Sequence, residues 1–161
     1  MGLYNNIMRK CEDAFRSVIL AQLGHELKHL GEDSVIAGGD SATSRVVPMI
    51  YVVCEMATFE QLTVDEISGN FDCTMKLGYV SGFKGETRNQ RMDRAAKLFE
   101  ICTQPDLPGL LNNQPITGFH VYGGQTGKGR GWMPGQVVTT PTDDNKIVQE
   151  LTGVLYCRPT G

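Results

Sequence analysis

The chain has 161 residues, 40% of them hydrophobic and 20% charged, with a formal net charge of −3. That length is one domain's worth and can bury a core without staples. The composition excludes a disordered or fibrous chain, and the charge gives no global basic field for nucleic acid. No apolar run approaches the ~20 residues of a membrane helix. Residues 1–10 lack a secretory pattern, and Gly2 is followed by Asn5 and Asn6 rather than by the Ser or Thr of a myristoylation signal.

Residues 4–23 predict an amphipathic helix. Tyr4, Ile7, Met8, Cys11, Ala14, Phe15, Val18 and Ile19 recur at three- and four-residue spacing, with Arg9, Glu12 and Arg16 opposite. Gly24 caps this helix, or it runs on to Gly31. Residues 31–45, rich in Gly, Ser, Asp and Thr, read as a loop. The β-branched run 46–54 reads as a strand, with Pro48 near its start or on an edge because proline cannot donate to a ladder. An acidic connection follows. Residues 70–80 alternate cleanly: Phe71, Cys73, Met75, Leu77 and Tyr79 fall on one face, Asn70, Asp72, Thr74 and Lys76 on the other. This marks a sheet with one buried side.

Residues 87–103 predict a second helix. Met92, Ala96 and Phe99, flanked by Ala95 and Cys102, form its inner stripe, and Arg88, Arg91, Arg94 and Lys97 turn away. Pro105 and Pro108 end it, with a short turn from Asp106 through Leu111. Strands are predicted around 116–122 and 147–157. Between them, residues 123–146 form a long glycine-rich loop or arm, part of which (136–140) can itself be strand. The expected architecture is a single domain over residues 1–161. It is α+β, a two-layer sandwich with a mainly antiparallel sheet of about four strands and two helices packed on one face, in the order α-β-β-α-β-β.

The five cysteines, Cys11, Cys54, Cys73, Cys102 and Cys157, are odd in number, have no CxxC spacing and lie in apolar stretches. They read as reduced core residues. Charge is unevenly placed. Between Glu55 and Asp72 stand Glu55, Glu60, Asp65, Glu66 and Asp72 with no Lys or Arg. Between Lys84 and Lys97 stand five bases, including Arg88, Arg91 and Arg94, against two acids. Opposite patches on one surface suit contact between copies of the same chain, closing head to tail into a ring. Glu60, Asp65, Glu66, Arg88, Arg91 and Arg94 are the interface candidates on that reading.

One short catalytic pattern is present. His25-Glu26-Leu27-Lys28-His29 matches H-E-x-x-H, in which two His one helical turn apart hold Zn²⁺ and the Glu activates water. No strand precedes it, Lys28 charges its interior, and no third ligand stands at a recognised spacing, though Glu32, Asp33 or Asp40 is near. A small zinc-dependent hydrolase using His25, His29 and Glu26 is therefore the alternative reading from another class; the main reading assigns no catalytic residue, metal or cofactor. The run 123–131 has glycines with Lys128 and Arg130, but Tyr122 and Gly129 stand where a Walker loop needs Gly and Ser or Thr. It reads as a hairpin or inter-subunit arm with Lys128 and Arg130 available to a polyanion, and Trp132, the sole Trp, as a contact anchor. His120 reads as an ordinary strand histidine.

The order of elements resembles the tail terminator proteins of lambda-like long-tailed bacteriophages. The resemblance spans about residues 4–157. It is carried by the first helix and loop, the Pro-introduced strand Val47-Pro48-Met49-Ile50-Tyr51-Val52, and the alternating strand 70–80. The basic helix ending in Asp106-Leu107-Pro108-Gly109-Leu110-Leu111 and the final strand Glu150-Leu151-Thr152-Gly153-Val154-Leu155-Tyr156 complete it. Neck and tail-completion proteins of related phages share this layout. The resemblance implies a structural, non-enzymatic virion protein assembled in the host cytoplasm. It would form a homo-oligomeric ring, a hexamer, that caps the tail tube and makes the joint to the head. Its implied partners are the tail tube protein and a neck or head-completion protein, with possible lumen contact to DNA and no membrane.

Overall fold

Helix α1 (Ile7–Ala21) buries Ile7, Cys11, Ala14, Phe15, Val18 and Ile19 of the predicted stripe, whereas Met8 is 37% exposed and Tyr4 lies outside the described residues. The structure is a computed structural model. It describes residues 7–24, 27, 30, 34–38, 48–61, 67–82, 86–113, 119–121, 131–141 and 145–159, the side chains of 60, 61, 67–70 and 159 excepted. The fold is α+β, with helices on one face of a sheet. Among the described residues the sheet has six strands rather than about four, and three helices rather than two cover it.

The added strands are short or edge elements. β1 (Val35–Ala37) lies inside the segment read as a loop and pairs parallel with β2 (Met49–Gln61), Val35 opposite Ile50. The Arg16 guanidinium donates to the Val35 carbonyl at 2.6 Å and ties β1 to α1. β2 does not stop at Cys54 but carries the start of the acidic connection as strand. β3 (Ile67–Gly82) is long enough to pair with all of it, and Phe59 meets its partner Phe71 edge to face at 6.2 Å. Helix α2 (Arg88–Thr103) opens on a capping box in which the Thr87 hydroxyl accepts from the Gln90 amide and the Gln90 side chain accepts from the Thr87 amide.

After α2 the chain turns directly into α3 (Leu107–Asn112), with Pro108 in its first turn where a missing N–H costs nothing. β4 (Phe119–Val121) is held by Asn112, whose side chain accepts from the Val121 amide at 2.7 Å and donates to the Val121 carbonyl at 3.0 Å. β5 (Trp132–Pro141) occupies much of the segment read as a glycine-rich arm and starts well before residue 136. β6 (Lys146–Pro159) closes the chain. The order is therefore α-β-β-β-α-α-β-β-β. Across the sheet it is β1-β2-β3-β6-β4, with β5 also on β6: β6 pairs with β3 along one side and with β4 and β5 in turn along the other.

One core lies between the sheet and the helices. Ile50, Val52 and Cys54 of β2, Phe71, Cys73, Met75, Leu77 and Tyr79 of β3, and Leu151, Leu155 and Cys157 of β6 face it. The helices supply the α1 stripe, Ala95, Leu98, Ile101 and Cys102 from α2, and Leu107 and Leu111 from α3. The inner face of β3 is the one its alternation predicts. The inner stripe of α2 is so only in part. Ala95 and Cys102 are buried, with Leu98 and Ile101 beside them, and Phe99 packs half-buried against the core, whereas Ala96 is exposed and Met92 is 42% exposed. The helix is rolled so that Arg94 turns toward the sheet and meets the buried Glu86.

Candidate interaction surface

Glu86 precedes α2 and its carboxylate is buried, an arrangement tolerable only with partners. It accepts from the Tyr79 hydroxyl at 2.9 and 3.1 Å and pairs with the Arg94 guanidinium at 2.5 Å. The carboxylate holds the Arg94 proton more tightly, and burial followed by the same acid pushes the Tyr79 hydroxyl up. Satisfying a buried carboxylate outweighs covering Met92, which is free to face solvent at modest loss. Arg94 is thus an internal partner and not the outward interface residue expected. Arg88 is exposed and Arg91 half-buried, and neither forms an ion pair among the described residues. Lys97, expected to turn away from the core, is half-buried and pairs with Glu100.

Trp132 is also an internal anchor. It opens β5 and is half-buried. Its indole N–H donates to the Cys102 carbonyl at 2.6 Å at the end of α2, and its ring meets Phe15 of α1 edge to face at 5.0 Å. The ring lies over Gly153, where an added Cβ would come within 2.5 Å of it. The expected exposed contact is instead the pin that joins β5 to the helix layer.

Beyond Trp132, β5 leaves that layer. Every residue from Met133 to Pro141 is exposed, and on the outer side β5 pairs with no strand among the described residues. Val137, level with the inward Leu151, and Val138, level with the outward Glu150, are each 47% exposed, so both faces of the strand are open. The ten residues carry no charge. Pro134, Pro141 and a bulge between Pro134 and Val137 bracket the usable outer edge. On the outer face, Met133, Val154, Thr74 and Met56 lie in one row across four strands, and the two methionines at its ends are 44% and 56% exposed.

The opposite side of the sheet is half open as well. β1 covers β2 only at residues 50–52, and the Glu12 carboxylate accepts from the Cys54 amide at 2.8 Å. Beyond that point β2 pairs only with β3 among the described residues, and Met56 and Phe59 (38% exposed) stand at the surface. Glu55 is held by Lys76 at 2.8 Å, and Lys76 also nears Glu150. The backbone of Glu60 lies in this half of β2, while Asp65 and Glu66 lie outside the described residues.

All five cysteines are buried and unpaired in disulfides, as their apolar settings predict. Cys11 and Cys73 approach to 3.7 Å, with Cys54 and Cys157 adjoining them beneath α1. Thiol neighbours and burial push Cys11, Cys54 and Cys73 up, and burial alone takes Cys102 to about 12. Among the described residues no group of three or more His, Cys, Asp or Glu is arranged to hold a metal ion. His25, Glu26 and His29 of the H-E-x-x-H pattern, Glu32, Asp33 and Asp40, and Lys128 and Arg130 all lie outside the described residues. His120 is half-buried on β4 opposite Arg158. Among the described residues no helix is long and apolar enough to cross a membrane.

The open faces of β5 escape a reading based on glycine content. Their signal is the β-branched, uncharged run Val137-Val138-Thr139-Thr140. A comparison with protein-family models finds none that matches the chain, and a comparison with curated proteins finds no match either.

Proposed function

We propose that this chain is a structural assembly protein, a tail terminator that forms a homo-oligomeric ring, a hexamer, capping a phage tail tube and joining it to the neck. The observation that carries this reading is β5. An uncharged edge strand that beyond Trp132 is open on both faces, with Met133, Val137 and Val138 exposed, is a surface that soluble monomers normally blunt. A subunit whose sheet edges meet its neighbours has reason to keep it.

The elements named for the resemblance, the opening helix, the paired long strands, the basic helix, the Pro-containing turn and the terminal strand, are present, while β1, α3 and β5 are added to the expected order. The acidic hairpin segment and the basic α2 then serve subunit contact, and no chemical step is required of the chain. Native mass spectrometry reports subunit number and bound metal together, and tube-length measurement reports capping. A metal-free closed ring that arrests growth of tail tube protein at a defined length is the expected outcome. A monomer carrying one zinc, with tube lengths unchanged, overturns the proposal in favour of the hydrolase.

A further inference from the structure

We propose that the outer edge of β5 adds onto the open half of β2, residues 55–61, in a second copy of this chain, so that neighbouring sheets join edge to edge and head to tail. This contact rests on the ring reading and names where its subunits touch.

The two edges are complementary in backbone, in apolar surface and in charge. β2, β3, β6 and β5 alternate in direction, so β5 runs antiparallel to β2, and a neighbour added in the same orientation continues the alternation. Between Pro134 and Pro141 the outer amides and carbonyls of β5 have no strand partner among the described residues, and beyond Cys54 the same holds for the outer side of β2. Exposed Val137 and Val138 stand on one edge, exposed Met56 and Phe59 on the other. Burying these side chains against each other removes the apolar surface that the single subunit leaves in water.

Charge selects the second copy, and selects its orientation. Residues 55–72, which run from the open half of β2 into the first part of β3, hold five acids and no base; Glu55 is held by Lys76, and Asp65 and Glu66 lie outside the described residues. The other edge is uncharged along β5. Helix α2, which packs on β3 and holds Trp132, lies on the β5 side of α1, which packs on β1 and β2. Arg88 and Arg91 on α2 have no acidic partner among the described residues. A two-fold β5-to-β5 contact would bring two basic helices together, whereas the head-to-tail contact brings α2 toward the acidic β2 half of the next copy. Such a heterologous contact generates a ring when its rotation closes.

The test is directed cross-linking. Met56→Cys and Val138→Cys are made singly and together, against a background in which all five native thiols are buried. The linker is a short bis-maleimide whose reach spans a two-residue shift along a strand (~7 Å). Wild-type subunit number is measured alongside. Mixing the two single variants is expected to give a linked dimer that neither gives alone, and the double variant a ladder ending at the wild-type subunit number. A Val138→Cys homodimer as the main product overturns the head-to-tail contact. A closed wild-type ring with no cross-link in any sample overturns the edge contact and leaves the ring reading standing. A wild type that stays monomeric up to ~1 mM overturns both. As a second measurement, Val138→Lys is expected to raise the dissociation constant at least ~10-fold with an unchanged circular dichroism spectrum. Unchanged association overturns the edge contact.

Discussion

The Tyr51 hydroxyl donates to the Glu150 carboxylate two strands away, and its ring reaches there by lying flat across Gly78. The three residues are in register, Tyr51 opposite Gly78 and Gly78 opposite Glu150. The glycine is needed because a Cβ at position 78 would stand 2.2 Å from the Tyr51 ring. Burial, then the hydrogen bond to Glu150, raises the Tyr51 hydroxyl well above its ordinary range. Beside the ring, Met49 and Val80 are shielded in a small cluster on the outer face.

Gly78→Ala therefore forces the ring out. It forfeits the hydrogen bond and uncovers part of that cluster, at an expected loss of about 2 kcal/mol in urea denaturation. Tyr51→Phe keeps the ring and removes only the charged hydrogen bond, for about 1.5 kcal/mol. If the two losses come out in the reverse order, the ring is not seated on Gly78.

Trp132 and Gly153 repeat this device on the inner face, with Phe15 and the Cys102 carbonyl as the other contacts. Trp132→Ala is expected to cost about 3 kcal/mol and to release β5 from the helix layer. Because Trp132 is the only Trp, its fluorescence reads that docking directly. Gly153→Ala should shift the native emission to longer wavelength with most of the secondary structure retained. Native emission already typical of a water-exposed indole would sink the anchor assignment.

The parts of the fold legible in the sequence are those with one dominant period. The α1 stripe and the alternation through Phe71–Tyr79 each repeat an apolar residue at a single spacing, and both faces stand where predicted, apart from the exposed Met8 at the edge of the α1 stripe and Tyr4, which lies outside the described residues. What escaped depends on partners distant in sequence. Nothing local to residues 88–103 says that Glu86 will be buried and will draw Arg94 inward, because that outcome needs Tyr79 on the neighbouring strand. Gly78 and Gly153 read as weak strand positions until the aromatic ring above each is known. β1 is three residues long, too short for a period, and β5 hides behind flanking glycines. The interface candidates share this limit: the basic cluster is legible as charge, but the separation of Arg94 from Arg88 and Arg91 requires the roll of the helix.

The buried thiols make a prediction about base. Free cysteines ionise near pH 9.0, while Cys11, Cys54, Cys73 and Cys102 hold their protons higher in the folded chain. Tyr51 and Tyr79 do the same relative to their ordinary 10.0. Above pH 9 the folded state therefore binds more protons than the unfolded state. Stability is fully present below that pH and falls as pH rises. For Cys102, whose folded value is about 12, the slope approaches roughly 1.4 kcal/mol per pH unit between those limits. Denaturation at pH 8 and pH 10.5 checks this, and Cys102→Ala should flatten the loss. At pH 8 the native chain should resist iodoacetamide while the unfolded chain takes up five equivalents, one for each cysteine. Rapid labelling of the native protein would contradict the burial.

Charge reversal on α2 separates structural from interfacial bases. Arg94 pairs with a carboxylate that is only 3% exposed. Arg94→Met is therefore expected to lower subunit stability by about 3 kcal/mol, because it strands that charge away from water. Arg88 and Arg91 have no such duty. Reversing both (Arg88→Glu with Arg91→Glu) should leave the unfolding free energy of the monomer within about 0.5 kcal/mol of wild type. If the two bases meet the acidic β2 half of a neighbouring copy, the same pair should weaken association by roughly tenfold or more at low salt. The gap from wild type should then close as salt screens exposed charges beyond about one Debye length, ~3 Å at 1 M. Sedimentation across a salt series reads this directly. Association unchanged at low salt would remove these bases from the contact, whereas association lost at every salt concentration would point to a damaged subunit and should be accompanied by a lowered unfolding midpoint.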